Sequence, residues 1–330
     1  RAIEDILFDQ GGFTPEQVKA AFDDWAKAVE KSDDFRTLGL RAFYQNNFPL
    51  AAENFVKAAQ KDEGQIKPVQ EQLDRKVLSA YQNRKDAGNS FKNSYQFPEA
   101  LEQYNIAKLR LAELISKDKH LYEQAEIEAL IGDAKAELGI RVESAKGNRL
   151  LSEAVDSYNR VFSVITREKL PQQWAATQNN LGIALSLQGE RMAGDEGVRL
   201  LAKAVVAYRN ALLVYTRERL PQQWAATQNN LCLTLNIQGG RMAGAQGVKF
   251  QAEAIVACHN ALLAYTREYL PQQWAMTQNN LGTALSVQGE RMAGDESVKL
   301  LAEAVAAYRN ALQVYTREQL PQQWAMTQNN

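Results

Sequence analysis

The sequence predicts an all-α protein, a solenoid of antiparallel helix pairs, and three observations carry that expectation. The run Leu-Pro-Gln-Gln-Trp-Ala-x-Thr-Gln-Asn-Asn starts at Leu170, Leu220, Leu270 and Leu320, a strict period of fifty residues. Periods of this size mark stacked supersecondary units. Within each period, apolar residues recur three and four positions apart, which is helical spacing, and no segment alternates with the period of a strand. Neither helix of such a unit can bury its apolar stripe alone, so neighbouring units must stack.

Taken in order, residues 1–31 read as an N-terminal capping segment, with a helix from Thr14 to Glu30 and Thr14-Pro15-Glu16-Gln17 as a capping box. Residues 32–120 hold two helix pairs with a long intervening helix. Residues 121–320 hold four units of fifty. The first, 121–170, is diverged and lacks the Trp-Ala-x-Thr-Gln-Asn-Asn run; 171–220, 221–270 and 271–320 follow. Residues 321–330 are an incomplete unit, so the sequence is expected to be part of a longer protein. The stripe around Trp324 is expected to offer a head-to-tail contact. Units 171–220 and 271–320 differ at only nine positions, 176, 183, 187, 197, 199, 203, 206, 213 and 219, as recent duplication would leave them.

Inside a unit, Pro171 suits a first helical turn because the N–H it lacks has no partner there. Trp174, Leu181 and Leu185 form the stripe of helix A, and Gly189 is expected to end it as a left-handed cap. After a loop at 190–194, Asp195 is an acceptable N-cap for helix B. Helix B presents Leu201, Ala204, Val205, Tyr208, Ala211, Leu212 and Tyr215 at helical spacing, and is expected to run to the next Leu-Pro.

Gly39, Ala42, Phe48, Ala51, Phe55 and Ala58, and then Gly88, Phe91, Phe97, Ala100, Tyr104 and Ala107, have a spacing that resembles the tetratricopeptide repeat. In the longer units the same signature is Leu181, Gly182, Leu185, Ala204, Tyr208 and Ala211, with ten extra residues between Gly182 and Ala204. The Asn-Asn-Leu-Gly run is similar to the helices of kinesin light chain-like members. The resemblance implies a right-handed superhelix that binds a protein or peptide partner in a concave groove lined by helix A. It places Asn179, Ile183, Ser186 and Leu187 in that groove, with Asn229, Leu233, Asn236 and Ile237, and Asn279, Thr283, Ser286 and Val287. Asn180, Asn230 and Asn280 border them.

Asparagine both donates and accepts, so a row of amides one unit apart can hold an extended main chain while aliphatic neighbours select its side chains. The same amides can instead bridge neighbouring units and hold the stack together. The N-terminal groove carries Arg36, then Lys85, Asn89 and Lys92. Lys85 and Asn89 resemble half of the carboxylate clamp of chaperone-binding relatives, but Leu130 stands where the clamp needs its next asparagine. These side chains either contact an acidic or C-terminal peptide or form a solvated basic face.

The charge balance of 38 basic and 39 acidic residues leaves no excess to neutralise a phosphate backbone, so nucleic acid is excluded as an expected partner. No stretch approaches the roughly 20 apolar residues that span a bilayer, so no membrane is expected either. His120 and His259 are far apart, Cys258 and His259 are adjacent but on different sides of a helix, and nothing else pairs a nucleophile with a base, so neither metal, cofactor nor enzymatic activity is expected. Two cysteines cannot make a disulfide framework, which favours a reducing compartment and a cytoplasmic location. Cys232 replaces the glycine of neighbouring units and Cys258 their tyrosine. If these positions face each other, the pair is either an exchange of volume or a redox pair.

The function this predicts is a noncatalytic peptide-binding scaffold, the recognition arm of a larger protein. A self-assembling structural solenoid is the alternative.

Overall fold

The computed structural model describes residues 15–114, 117–142 and 145–330. Thirteen α-helices form among them and no strand. The capping box falls partly outside this range, because Thr14 is not among the described residues. The chain divides into two compact units, one ending at Val77 and the next starting at Leu78.

The first unit contains α1 (Pro15–Ala28), α2 (Phe35–Tyr44) and the start of α3 (Phe48–Asn93). Asp34 caps α2, its carboxylate accepting the Thr37 N–H at 3.0 Å. Gly39 lies against the Phe55 ring, where a Cβ would come within 2.8 Å of it. Helix α3 runs for 46 residues with Pro68 inside it, although an interior proline removes one hydrogen bond and costs about 3 kcal/mol.

The second unit is a solenoid of helical repeats. It contains the rest of α3, α4 (Phe97–Ala112), a 3-10 turn (Lys117–His120), and the pairs α5 (Leu121–Arg141) with α6 (Ala145–Val161) and α7 (Pro171–Arg191) with α8 (Gly194–Leu212). Next come α9 (Pro221–Arg241) with α10 (Gly244–Leu262), α11 (Pro271–Arg291) with α12 (Asp295–Ala311), and α13 (Pro321–Asn329). Each helix packs on its partner and on the next pair, and one apolar cluster runs continuously from Ala136 to Tyr308.

The core of four pairs is set by a glycine facing a tyrosine. Tyr208 is 2% exposed, and a Cβ on Gly182 would lie 2.6 Å from its ring; Gly88 with Tyr104, Gly132 with Tyr158 and Gly282 with Tyr308 repeat the arrangement. Between pairs the tryptophans act as shared wedges. Trp224 packs in the cluster of Ala175, Ala211 and Tyr215 and also in that of Ala225, Ala261 and Tyr265. Between helix B and the next helix A, the Thr216 hydroxyl accepts the Arg219 N–H at 3.3 Å, and Thr166, Thr266 and Thr316 do the same in their own turns.

Three expectations are corrected. Gly189 does not end helix A, which continues to Arg191. It is small because a Cβ would strike Leu201 at 2.8 Å and the Gly197 carbonyl at 2.9 Å. In the fifty-residue units the left-handed residues are instead Gly194, Gly244 and Gly294, at φ near +69°, +66° and +69°. Helix B starts at Gly194 with no side-chain cap from Asp195, and it stops at Leu212, short of the Leu-Pro, so that Tyr215 is buried from a turn. Cys232 and Cys258 form a disulfide that closes a sequence separation of 26. The two positions do face each other, but the exchange of ring for sulfur is completed by a covalent bond, which a loop of this length makes worth about 3.5 kcal/mol on chain-entropy grounds.

Candidate functional site

The candidate site is the helix-A face of α7, α9 and α11. Its asparagines form a ladder that runs along the stack. The Asn179 Oδ1 accepts the Thr227 hydroxyl at 3.1 Å and the Asn230 amide at 3.5 Å, both from the next unit. One period on, Asn229 Oδ1 accepts the Thr277 hydroxyl at 3.0 Å and the Asn280 amide at 3.1 Å, and Asn279 Oδ1 accepts the Asn330 amide at 3.3 Å. Asn180 donates to Asp133 at 2.9 Å. The expected row of amides is therefore present, but its carbonyls are engaged between units, and Asn229, at 3% exposure, is sealed from solvent. Asn236, at 7%, is likewise buried.

Replacing Asn229 with alanine leaves the Asn280 amide without its acceptor and weakens the hold on Thr277. A loss of about 1–3 kcal/mol is expected, read as a lower urea midpoint at unchanged slope; an unchanged midpoint would remove the ladder from the account.

The basic residues are also engaged. Lys85 pairs with Glu126 at 2.8 Å and Lys92 with Asp133 at 3.0 Å. Asn89 accepts the Tyr104 hydroxyl at 2.9 Å; burial, reinforced by Asp133, pushes that phenol up to about 12, so it remains a donor. The half-clamp is thus filled by side chains of the protein itself, and the basic face is not simply solvated. Thr283 similarly accepts the Tyr308 hydroxyl at 3.3 Å. Arg36 lies exposed in the first unit.

Aliphatic side chains stay partly open on this face, beside the half-buried Asn179, Asn180, Asn279 and Asn280. Leu233 is 40% exposed, while Ile183, Leu187, Ile237 and Val287 are half-buried. Met276 adds another exposed side chain to the row. Where Ala129 and Leu130 stand in place of the asparagine pair, their side chains cannot make the hydrogen bonds of a rung, and a recess of about 200 Å³ opens beside Ala176 and Asn180.

Sequence reasoning missed the arginines of the Arg-Met-Ala-Gly run. Arg241 donates to the carbonyls of Gly189, Met192 and Glu190 at 2.6, 2.8 and 2.5 Å, capping the C-terminus of the preceding helix A. Arg191 and Arg291 reach back in the same way, to Gly139 and Ile140 and to Met242 and Gly240. Gly197 leaves room for this contact, since its Cβ would lie 2.6 Å from the Arg241 guanidinium. In the unit 271–320 Ser297 takes that place, and its own hydroxyl donates to the Gly289 carbonyl at 2.7 Å.

Among the described residues no group of three His, Cys, Asp or Glu side chains converges as a metal site, and no described helix is long and apolar enough to cross a membrane. Compared with known proteins, the chain matches no protein-family model and no curated protein.

Proposed function

We propose that the protein is a noncatalytic scaffold of the tetratricopeptide type that binds an extended peptide along the helix-A face of α7, α9 and α11. The observation that carries this reading is the division of labour between units. The rung residues Thr, Asn and Asn are identical in 171–220 and 271–320, whereas positions 176, 183 and 187 differ, and those three are partly open to solvent on the same face.

A surface needed only for stacking has no use for the partly open aliphatic series Leu187, Ile237 and Val287 at one-unit intervals. An extended ligand does, because its main chain brings alternate side chains to one side with a regular step. The amides contribute by fixing the spacing of these contacts, and the recess beside Ala129 accepts the bulkiest ligand side chain. The disulfide removes the cysteine argument for a reducing compartment, since both cysteines are paired.

The test is selection of peptides from a displayed random library against the full chain, followed by titration of a selected peptide. Leu233→Asp is expected to weaken binding at least tenfold with a near-native urea midpoint, because Leu233 is exposed and makes no rung. Equal affinity in both proteins would refute docking on this face.

A further inference from the structure

A cavity of about 530 Å³ lies apart from the helix-A face, between α4, α5 and α6. Its floor is apolar, formed by Leu111, Leu121, Ile127 and Val164 among others. Into it projects Glu128, only 8% exposed, which pairs with Lys108 of α4 and with Arg160 of α6, the latter at 3.0 Å. Burial raises the Glu128 carboxyl, but hydrogen bonds from Lys108 and Arg160 outweigh it and hold the group below its ordinary value. It is therefore a carboxylate at neutral pH.

Two cations meet this one carboxylate, and both remain about half exposed, at 48% and 52% of their side chains. Lysine offers three N–H donors and arginine five, more than Glu128 and the Ser157 hydroxyl can accept. The charges are not needed for packing. Fifty residues on, Gln178 and Asn210 occupy the positions of Glu128 and Arg160, and the Asn210 amide donates a neutral hydrogen bond to Gln178 Oε1 at 3.5 Å. A neutral pair thus suffices beside the comparable recess of about 600 Å³ in the repeat that follows, whereas the cavity at Glu128 carries charge.

We propose that this cavity binds an aliphatic monocarboxylate, its tail on Leu121, Ile127 and Val164 and its carboxylate on the free donors of Lys108 and Arg160. A single negative charge balances the single excess positive one. A free medium-chain fatty acid and the C-terminus of a peptide ending in leucine share this chemistry.

The full chain is titrated by calorimetry with octanoate and with octanamide, and with a hexapeptide ending in leucine as free acid and as amide. At least one acid is expected to bind, at least tenfold more tightly than its amide; octanoate alone identifies a free acid as ligand, the peptide alone a C-terminus. Lys108→Ala, which leaves the cavity neutral, is expected to weaken binding at least fivefold. Glu128→Gln, which copies the neighbouring repeat and leaves two unbalanced cations, is expected to strengthen it about threefold. Circular dichroism confirms that both variants fold. Absence of binding by both acids, equal affinity for acid and amide, or unchanged affinity in either variant would overturn the proposal.

Discussion

Trp224→Ala is expected to lower the stability of the second unit by about 3–4 kcal/mol, within the range for truncating a packed tryptophan. The indole belongs to two clusters at once, one closed by Tyr215 and the other by Tyr265. Its loss therefore opens two cavities, and both lie between successive helix pairs rather than inside one. In a stacked array, stability is the sum of each unit's own packing and its interfaces with neighbours. The variant should accordingly broaden the urea transition, as well as shift it, because the repeats on either side begin to unfold separately. Trp224→Phe should recover most of the loss. A midpoint within 0.5 kcal/mol of the parent, as expected of a surface substitution, would mean that the motif tryptophan does not join the units.

Arg241→Ala is the second large effect, with an expected loss of about 3 kcal/mol. Three hydrogen bonds from a charged donor disappear, to Gly189, Met192 and Glu190, and the last carbonyls of α7 lose their cap. Hydrogen bonds to charged groups contribute about 1.5–3 kcal/mol each, reduced here because the Met192 and Glu190 carbonyls lie near solvent. Arg241→Lys should restore less than half of the loss, since an ammonium presents a point charge where a planar fork fits three carbonyls. Chemical denaturation of the three proteins measures both differences. Equal stability of the lysine and arginine forms would show that charge near the helix end matters and geometry does not.

The fold was legible because duplication writes its period directly into the sequence. Proline at helix entry, and tryptophan, leucine and tyrosine at helical spacing, could each be placed on an element from local chemistry alone. The facing of Gly182 and Tyr208 was also readable, since one repeat replaces both at once with Cys232 and Cys258. Whether that pair would bond was not, because a fit of volumes looks the same as a disulfide in a list of residues.

The ladder lay halfway. Thr227 and Asn230 are 48 and 51 residues from Asn179, close to one period, so amides aligned in a stack were candidates to bridge it. Geometry then decided that their carbonyls turn along the stack. Lys85 and Lys92 carried a missed signal: Glu126 and Asp133 follow each at the same distance of 41 residues, so the two rows match tooth for tooth. The arginine caps could not be separated from mere duplication, because a repeated surface residue and a repeated structural one leave the same pattern. Gly189 misled for a related reason, since close packing calls for glycine as strongly as a left-handed turn does.

The most direct test of the account is photo-crosslinking by a benzoylphenylalanine placed at one position of the full chain, in the presence of a selected peptide. Placed at Leu233 on helix A, it is expected to capture the peptide in saturable fashion. Placed at Val256 on helix B, which is more exposed at 59%, it is expected to capture little. Equal capture at the two positions, or capture at Val256 alone, would contradict the central claim that the aliphatic row of helix A is the binding face.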